Sequence, residues 1–349
     1  MSAIKTVDAP PVPDQRAPRR RAQLLARDVL ERYGLLLIAI AVAIFFSVLP
    51  STSETFPTTQ NFKTILANQS VAAIVALAAL IPLVLREFDL SVGAVLGLSM
   101  VFSASAMSWG WPPVLALVFG VGLGAFAGLV NGVLVTRFRI NGVVTTLGAA
   151  TAIHGIVLWR TGGEPILEGI PVGWTDFGAG AFLGIPNTAW MLLIVVATVY
   201  FTLEHTAFGR HMYMLGSNPD AAALVGIRTR TMRLMSFVIA GTLAGIAGIL
   251  QLARSGSASS EVGERFTLTA LAAAFLSAAA IRPGRFNAGG VLVAITFLAL
   301  LNGGLNLAGA ATYVADLVNG IALVVGVGIA GFFSRRRGRD TNVSLGVGT

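Results

Sequence analysis

The sequence predicts an all-α membrane protein of about ten transmembrane helices with both termini in the cytoplasm. Three observations point there. With 55% hydrophobic and 11% charged residues and a mean hydropathy of +0.79, the 349-residue chain has too few polar side chains to cover a water-soluble globule. Apolar runs near bilayer length recur along it, and a bilayer core of roughly 30 Å needs about 20 such residues per helix. The basic residues between the runs fall on alternate sides, as Lys and Arg do when they collect in cytoplasmic loops.

Residues 1–32 hold Pro10, Pro11, Pro13 and Pro18 ahead of Arg19, Arg20 and Arg21, and read as a disordered basic cytoplasmic tail. The first apolar run lacks a small-residue cleavage site behind it, so it is read as a retained helix rather than a signal peptide. The predicted spans are 34–50, 64–85, 90–108, 113–135, 140–159, 188–204, 232–252, 267–281, 287–307 and 312–333, within a membrane domain 33–334 followed by a cytoplasmic tail 335–349. Pro82 interrupts the second run before Arg86, Glu87 and Asp89, which predicts a broken or re-entrant element there. With the N-terminus inside, only Lys63, Arg160, Arg254 and Arg265 of the 24 basic residues face outward. A missed or extra helix would invert every later loop.

Two loops are long. Residues 159–188, with Trp174, Glu164, Glu168 and Asp176, face outward, and 205–231 face the cytoplasm. In the second, SNPDAAALVGI (217–227) has the pattern of a short amphipathic helix capped by Ser217 or Asn218; an ordinary connector is the plainer reading. Within the spans, GVGLGAFAG (120–128) and GTLAGIAG (241–248) supply the small residues that let helix backbones approach closely.

The residue inventory excludes several functions. There is no cysteine, so no disulfide framework or thiolate metal site can form, and three scattered histidines make no zinc centre. Neither lysine, Lys5 or Lys63, follows a glycine-rich phosphate loop, so the chain does not hydrolyse ATP unaided. The net charge of +8 is explained by topology, and no domain is left over to bind nucleic acid. Ionisable groups at membrane depth, the mark of ion-coupled carriers, are sparse. Asp89 and Asp316 fall near span ends, and His154 alone lies well inside one, where an interhelical hydrogen bond accounts for it more simply than a proton relay. Neutral groups predominate: Asn68, Gln69, Asn131, Asn141, Thr145, Thr146, Asn302, Asn306 and Asn319. They suit a neutral polyol, although each is also an ordinary interhelical hydrogen bonder. The candidates for a translocation path are Asn68, Asp89, Asn131, Thr145, Thr146, His154, Asn302 and Asn306.

Taken in order, EFDLSVG (87–93), GLVNGVLVTRFRI (128–140), TLG (146–148), GGEPI (162–166), TAFGRHMYMLGSNPDAAALVGI (206–227), GTLAGIAGIL (241–250) and NGGLNLAG (302–309) resemble the permease subunits of ribose-, galactoside- and autoinducer-2-type ABC importers. The resemblance implies a bacterial inner-membrane subunit that binds no cofactor itself. Its expected partners are cytoplasmic ATPase subunits that use ATP and Mg, a second permease, identical or related, and an extracytoplasmic solute-binding protein. It also implies that the 206–227 loop docks on the ATPase. Gly216, Ser217, Asn218, Asp220, Ala221, Ala222 and Gly226 are the expected coupling residues, with the small alanines lying in a cleft of the partner and Gly216 and Gly226 permitting sharp exits. A bulky charge at Ala222 is expected to uncouple transport. Thr269 and Ser277-Ala278 depart from the family, which has an acidic residue and a Gly-Gly pair in those places. A branched-chain amino acid permease and a non-transporting scaffold or receptor are the competing readings.

Overall fold

The structure, a computed structural model, describes the backbone of residues 17–344 and the side chains of 32–329 apart from Thr312. The elements in order are α1 (Ala17–Val48), α2 (Thr59–Val84), α3 (Val92–Ser108), α4 (Pro113–Thr136), α5 (Gly142–Thr161), α6 (Val172–Ala179), β1 (Ala181–Phe182), β2 (Ile185–Pro186), α7 (Asn187–His205), α8 (Ala207–Ser217), α9 (Pro219–Leu224), α10 (Thr229–Ser255), α11 (Val262–Leu276), a 3-10 turn (Ser277–Ala279), α12 (Ala288–Leu307) and α13 (Thr312–Ser344). Among the described residues, α2, α4, α5, α7, α10 and α12 are long and apolar enough to cross a bilayer, and shorter apolar stretches lie at Arg32–Val48, Val92–Ser108 and Tyr313–Ile329. The protein is an all-α membrane protein; among the described residues the β content is one hairpin of two-residue strands and an isolated bridge between Ile166 and Ala258.

Every expected span has its helix, with shifts at the edges. The run expected at 267–281 begins earlier, at Val262, and gives way at Ser277 to the 3-10 turn. Its 15 residues extend about 22 Å, short of a full bilayer core. The disorder expected of the N-terminal tail is corrected from Ala17 onward. α1 starts at Ala17, because the sequence from Ala22 to Arg32 is rich in the helix formers Ala, Leu, Arg, Gln and Glu, and α13 carries on to Ser344. Residues 1–16 and 345–349 of those tails lie outside the described residues.

α2 is the axis of the bundle. From Ser70 to Val84 every side chain is buried, as expected of a helix apolar all round and surrounded by others. α3, α7, α10, α11 and α12 pack around it. α4 packs on α10 through Gly124, Gly128 and Gly132, and on α3 through Gly120. A Cβ on Gly124 would stand 2.5 Å from the Gly241 carbonyl oxygen and 3.0 Å from the Gly245 Cα, so the two backbones touch where side chains would otherwise separate them. The outer faces of α1, α4 and α7 leave Leu37, Ile44, Phe45, Val114, Val118, Phe126, Ile194 and Phe201 exposed, which is stable only against lipid or another apolar surface.

Contacts sort the helix ends into two groups. At one end the close of α2 meets α8, Glu87 reaches Arg233, and Glu204 reaches Arg282 and Arg285. At the other, Arg254 bonds Asn68, Arg160 sits 4.8 Å over the Trp109 ring, and Ile166 bridges to Ala258. The long loop between α5 and α7 is ordered by α6, which packs on α10, and by the hairpin, with Ala181 opposite Pro186 and both turn residues, Leu183 and Gly184, at positive φ.

Candidate coupling surface and solute path

The loop expected to couple holds two short helices. α7 ends at His205, and Thr206 turns the chain into α8 by accepting a hydrogen bond from the Gly209 amide at 3.2 Å. α8 buries Met212 and Leu215 against the bundle. Gly216 closes that contact: a Cβ there would collide with the Val84 carbonyl at the end of α2. Close approach, not a sharp exit, is what needs this glycine. Asn218 then caps α9, its Oδ1 accepting from the amides of Asp220 at 3.1 Å and Ala221 at 3.0 Å, with Pro219 at the first helical position. Gly226, at φ +82°, provides the left-handed exit. Of the two expected caps, Ser217 stays in α8 and Asn218 does the work.

The alanines divide. Ala221 and Ala223 are exposed, but Ala222 is fully buried against its own chain, so it cannot lie in a partner's cleft. The surface that α9 presents outward ends instead in Leu224, 88% exposed, and Val225, 68% exposed. Neither apolar residue was singled out from sequence, because six helical residues are too few to show a face.

A polar clamp fixes α8 from beneath. Glu204, at the end of α7, pairs with Arg282 and, at 3.4 Å, with Arg285, both on the segment leading into α12. The Arg285 guanidinium lies 3.5 Å from the centre of the Tyr213 ring, and the Tyr213 hydroxyl donates to the Phe286 carbonyl at 2.9 Å. Burial raises the Tyr213 hydroxyl above its ordinary pKa, with Arg285 opposing, so the tyrosine stays a donor at neutral pH. None of these residues was a sequence candidate. The basic pair was legible only as topology-setting charge.

The path candidates fall into separate places. Beyond Arg86, at φ +61°, residues Glu87 to Leu90 lie outside any helix and Ser91 is the N-cap of α3, so the break expected near Pro82 is real and lies just after it. Asp89 is 2% exposed; its Oδ1 accepts from the Ser91 amide at 2.9 Å and hydroxyl at 2.6 Å, and Asn131 donates to that hydroxyl at 2.9 Å. Thr146 accepts from the Leu90 amide at 3.1 Å, so Asn131 of α4 and Thr146 of α5 hold the α2–α3 connector that Asp89 turns. Thr145 is buried with its hydroxyl unpartnered. His154 faces a cavity of about 210 Å³ among α3, α5 and α11 and lies 3.4 Å from Glu264, which the sequence reading passed over. Asn302 donates to Asn319 at 3.1 Å, and Asn319 donates to Thr269 at 3.1 Å, across α12, α13 and α11. The family departure at Thr269 is thus an acceptor in an interhelical chain. At the other departure, Ser277 supplies the carbonyl against which Gly290 packs without room for a Cβ. Asn68 and Asn306 are exposed near helix ends, Asn68 bonded to Arg254.

The family model that matches residues 61–327 is described as a branched-chain amino acid transport system / permease component. The ribose import permease protein of Escherichia coli K12 is 32% identical over 293 residues, covering 82% of this chain and 91% of that protein. The D-allose transport system permease of the same organism is 31% identical over 307 residues, 87% and 93% of the two chains. An autoinducer 2 import system permease from Salmonella typhi is 29% identical over 285 residues, 82% of each. No solved structure matches the chain. With most of its length matched by the model and its bundle built of apolar helices, the chain belongs to this family of transport-system permease components.

Proposed function

We propose that the chain is the membrane-spanning permease of a bacterial ABC importer for a sugar or sugar-like solute, energised by separate ATPase subunits that bind ATP and Mg. The observation that carries this reading is the likeness, over most of the chain, to permeases named for ribose, allose and autoinducer 2 import. The alternation of basic residues supports ten spans, with α11 as the shortest, and cytoplasmic termini, and the likeness to bacterial import permeases supports an inner-membrane location. A second permease subunit would complete the path, and an extracytoplasmic binding protein would deliver the solute.

In this reading α8 and α9 form the docking element. Leu224 and Val225 enter an apolar recess of the ATPase, Asp220 and Ala221 border the contact, and Ala222 holds α9 to the bundle. Movement of the docked α9 reaches α2 through Gly216 and α12 through the Glu204–Arg285–Tyr213 clamp. Neutral donors and acceptors suit the hydroxyls of a sugar, with the His154–Glu264 cavity the part of the candidate path open to a ligand.

The test is ATP-driven uptake in liposomes holding this chain, its ATPase and its binding protein, assayed with pentoses, hexoses and branched-chain amino acids. Sugar uptake that stops without the binding protein is expected. Uptake of leucine or valine instead would overturn the solute class, and no uptake of either would overturn the transport reading.

A further inference from the structure

At the end of the bundle that carries α8 and α9, a largely polar cavity of about 440 Å³ lies between the end of α4, the start of α5, the start of α10 and the connector after α2. Its charged lining is Glu87, Arg139, Arg230 and Arg233. Glu87 lies 3.3 Å from the Arg233 Nε and takes up that one positive charge; Arg139 and Arg230 form no ion pair among the described residues. Two exposed guanidiniums therefore face one concavity with no acid paired to them among the described residues. The N-cap of α10, Arg228, makes no side-chain hydrogen bond, so the first-turn amides beside Arg230 are uncapped too and add positive potential at the same place.

Around this cavity the surface turns apolar. Ile140 on its wall is 41% exposed, Phe138 66% and Val144 64%, on the outer side of the α4–α5 turn. A basic concavity at helix ends, flanked by apolar side chains pointing outward, has the layout of a headgroup site with acyl chains running along the helices.

We propose that this cavity binds the phosphate of an anionic phospholipid, with Arg139 and Arg230 holding its oxygens, Arg233 remaining with Glu87, and Phe138, Ile140 and Val144 against the acyl chains. Free phosphate offers the same oxygens, but only a lipid also covers the apolar flank. The site stands on the membrane location of the chain and not on its transported solute.

The experiment is native mass spectrometry of the delipidated full-length protein titrated with phosphatidylglycerol, with phosphatidylcholine of the same acyl chains, and with inorganic phosphate. Phosphatidylglycerol is expected to be retained over phosphatidylcholine. Its affinity is expected to fall by about tenfold or more in R139Q/R230Q, to recover largely in R139K/R230K, and to resist millimolar inorganic phosphate. Size-exclusion profiles check that both variants fold, and the preference of the unmodified chain for the anionic lipid tests the proposal independently of either. Equal retention of the two lipids, undiminished phosphatidylglycerol binding by a folded R139Q/R230Q, or displacement by inorganic phosphate would each overturn it. So would displacement of the lipid by the ATPase subunit, which would make the cavity a protein contact.

Discussion

The two polar centres near the coupling end of the bundle are built differently. The Asp89–Ser91–Asn131–Thr146 network is buried, short in sequence on its Asp–Ser side, and closes on backbone amides of the connector. The Glu204–Arg282–Arg285–Tyr213 clamp is only part-buried and joins residues up to 81 positions apart. In a buried network of this kind each lost partner leaves a polar group without water. A part-buried ion-pair cluster can break and re-form with solvent replacing the lost partner, so it can join two elements that move. In the proposed transport cycle the first would act as a weld and the second as a hinge strap. That contrast explains why acids sit at both places without either resembling a proton relay.

Substitutions separate the two roles, and the largest effect of all is expected outside both, where a charge is forced into the buried face of α9. Ala222→Glu places a carboxylate in a fully buried site and should abolish folded protein, seen as loss of a monodisperse size-exclusion peak, whereas Leu224→Glu should fold normally and lose the ATPase on copurification. Similar behaviour of the two would erase the distinction between the inner and outer faces of α9. Next in size, Asp89→Ala strands the Ser91 amide and hydroxyl and should cost about 2–3 kcal/mol, measured as a lower thermal midpoint in detergent, with Asp89→Asn much milder. An unshifted midpoint for Asp89→Ala would contradict the weld. The smallest change in stability, about 1 kcal/mol, is expected for Arg285→Ala, which removes an ion pair and a ring contact. Its ATPase should still copurify, but solute moved per ATP should fall. Unchanged uptake stoichiometry would reduce the clamp to packing.

Much of the bundle was legible because lipid imposes length. A run of apolar residues near bilayer length reads as a helix whatever surrounds it. The break after Pro82 was legible because Pro82, Arg86 and Asp89 cannot all continue an apolar helix. Asn218 as a cap was legible from its chemistry. The orientation of α9 was not, since PDAAAL offers three equivalent alanines and no period to choose among them. Nor was the clamp, because nothing local links Glu204 to an arginine 78 residues on. The asparagines were visible as polar groups in spans, yet only the fold separates Asn131, within the connector network, from Asn302, tied across three helices.

Because the chain has no cysteine, single cysteines report accessibility without background. The most direct measurement is the rate of maleimide labelling of Leu224→Cys and of Ala222→Cys in membranes, with and without the coexpressed ATPase subunit. Fast labelling at 224 that the ATPase suppresses, with 222 unlabelled in both cases, is the result this account predicts. Labelling at 224 that is indifferent to the ATPase would contradict the assignment of α9 as the docking element.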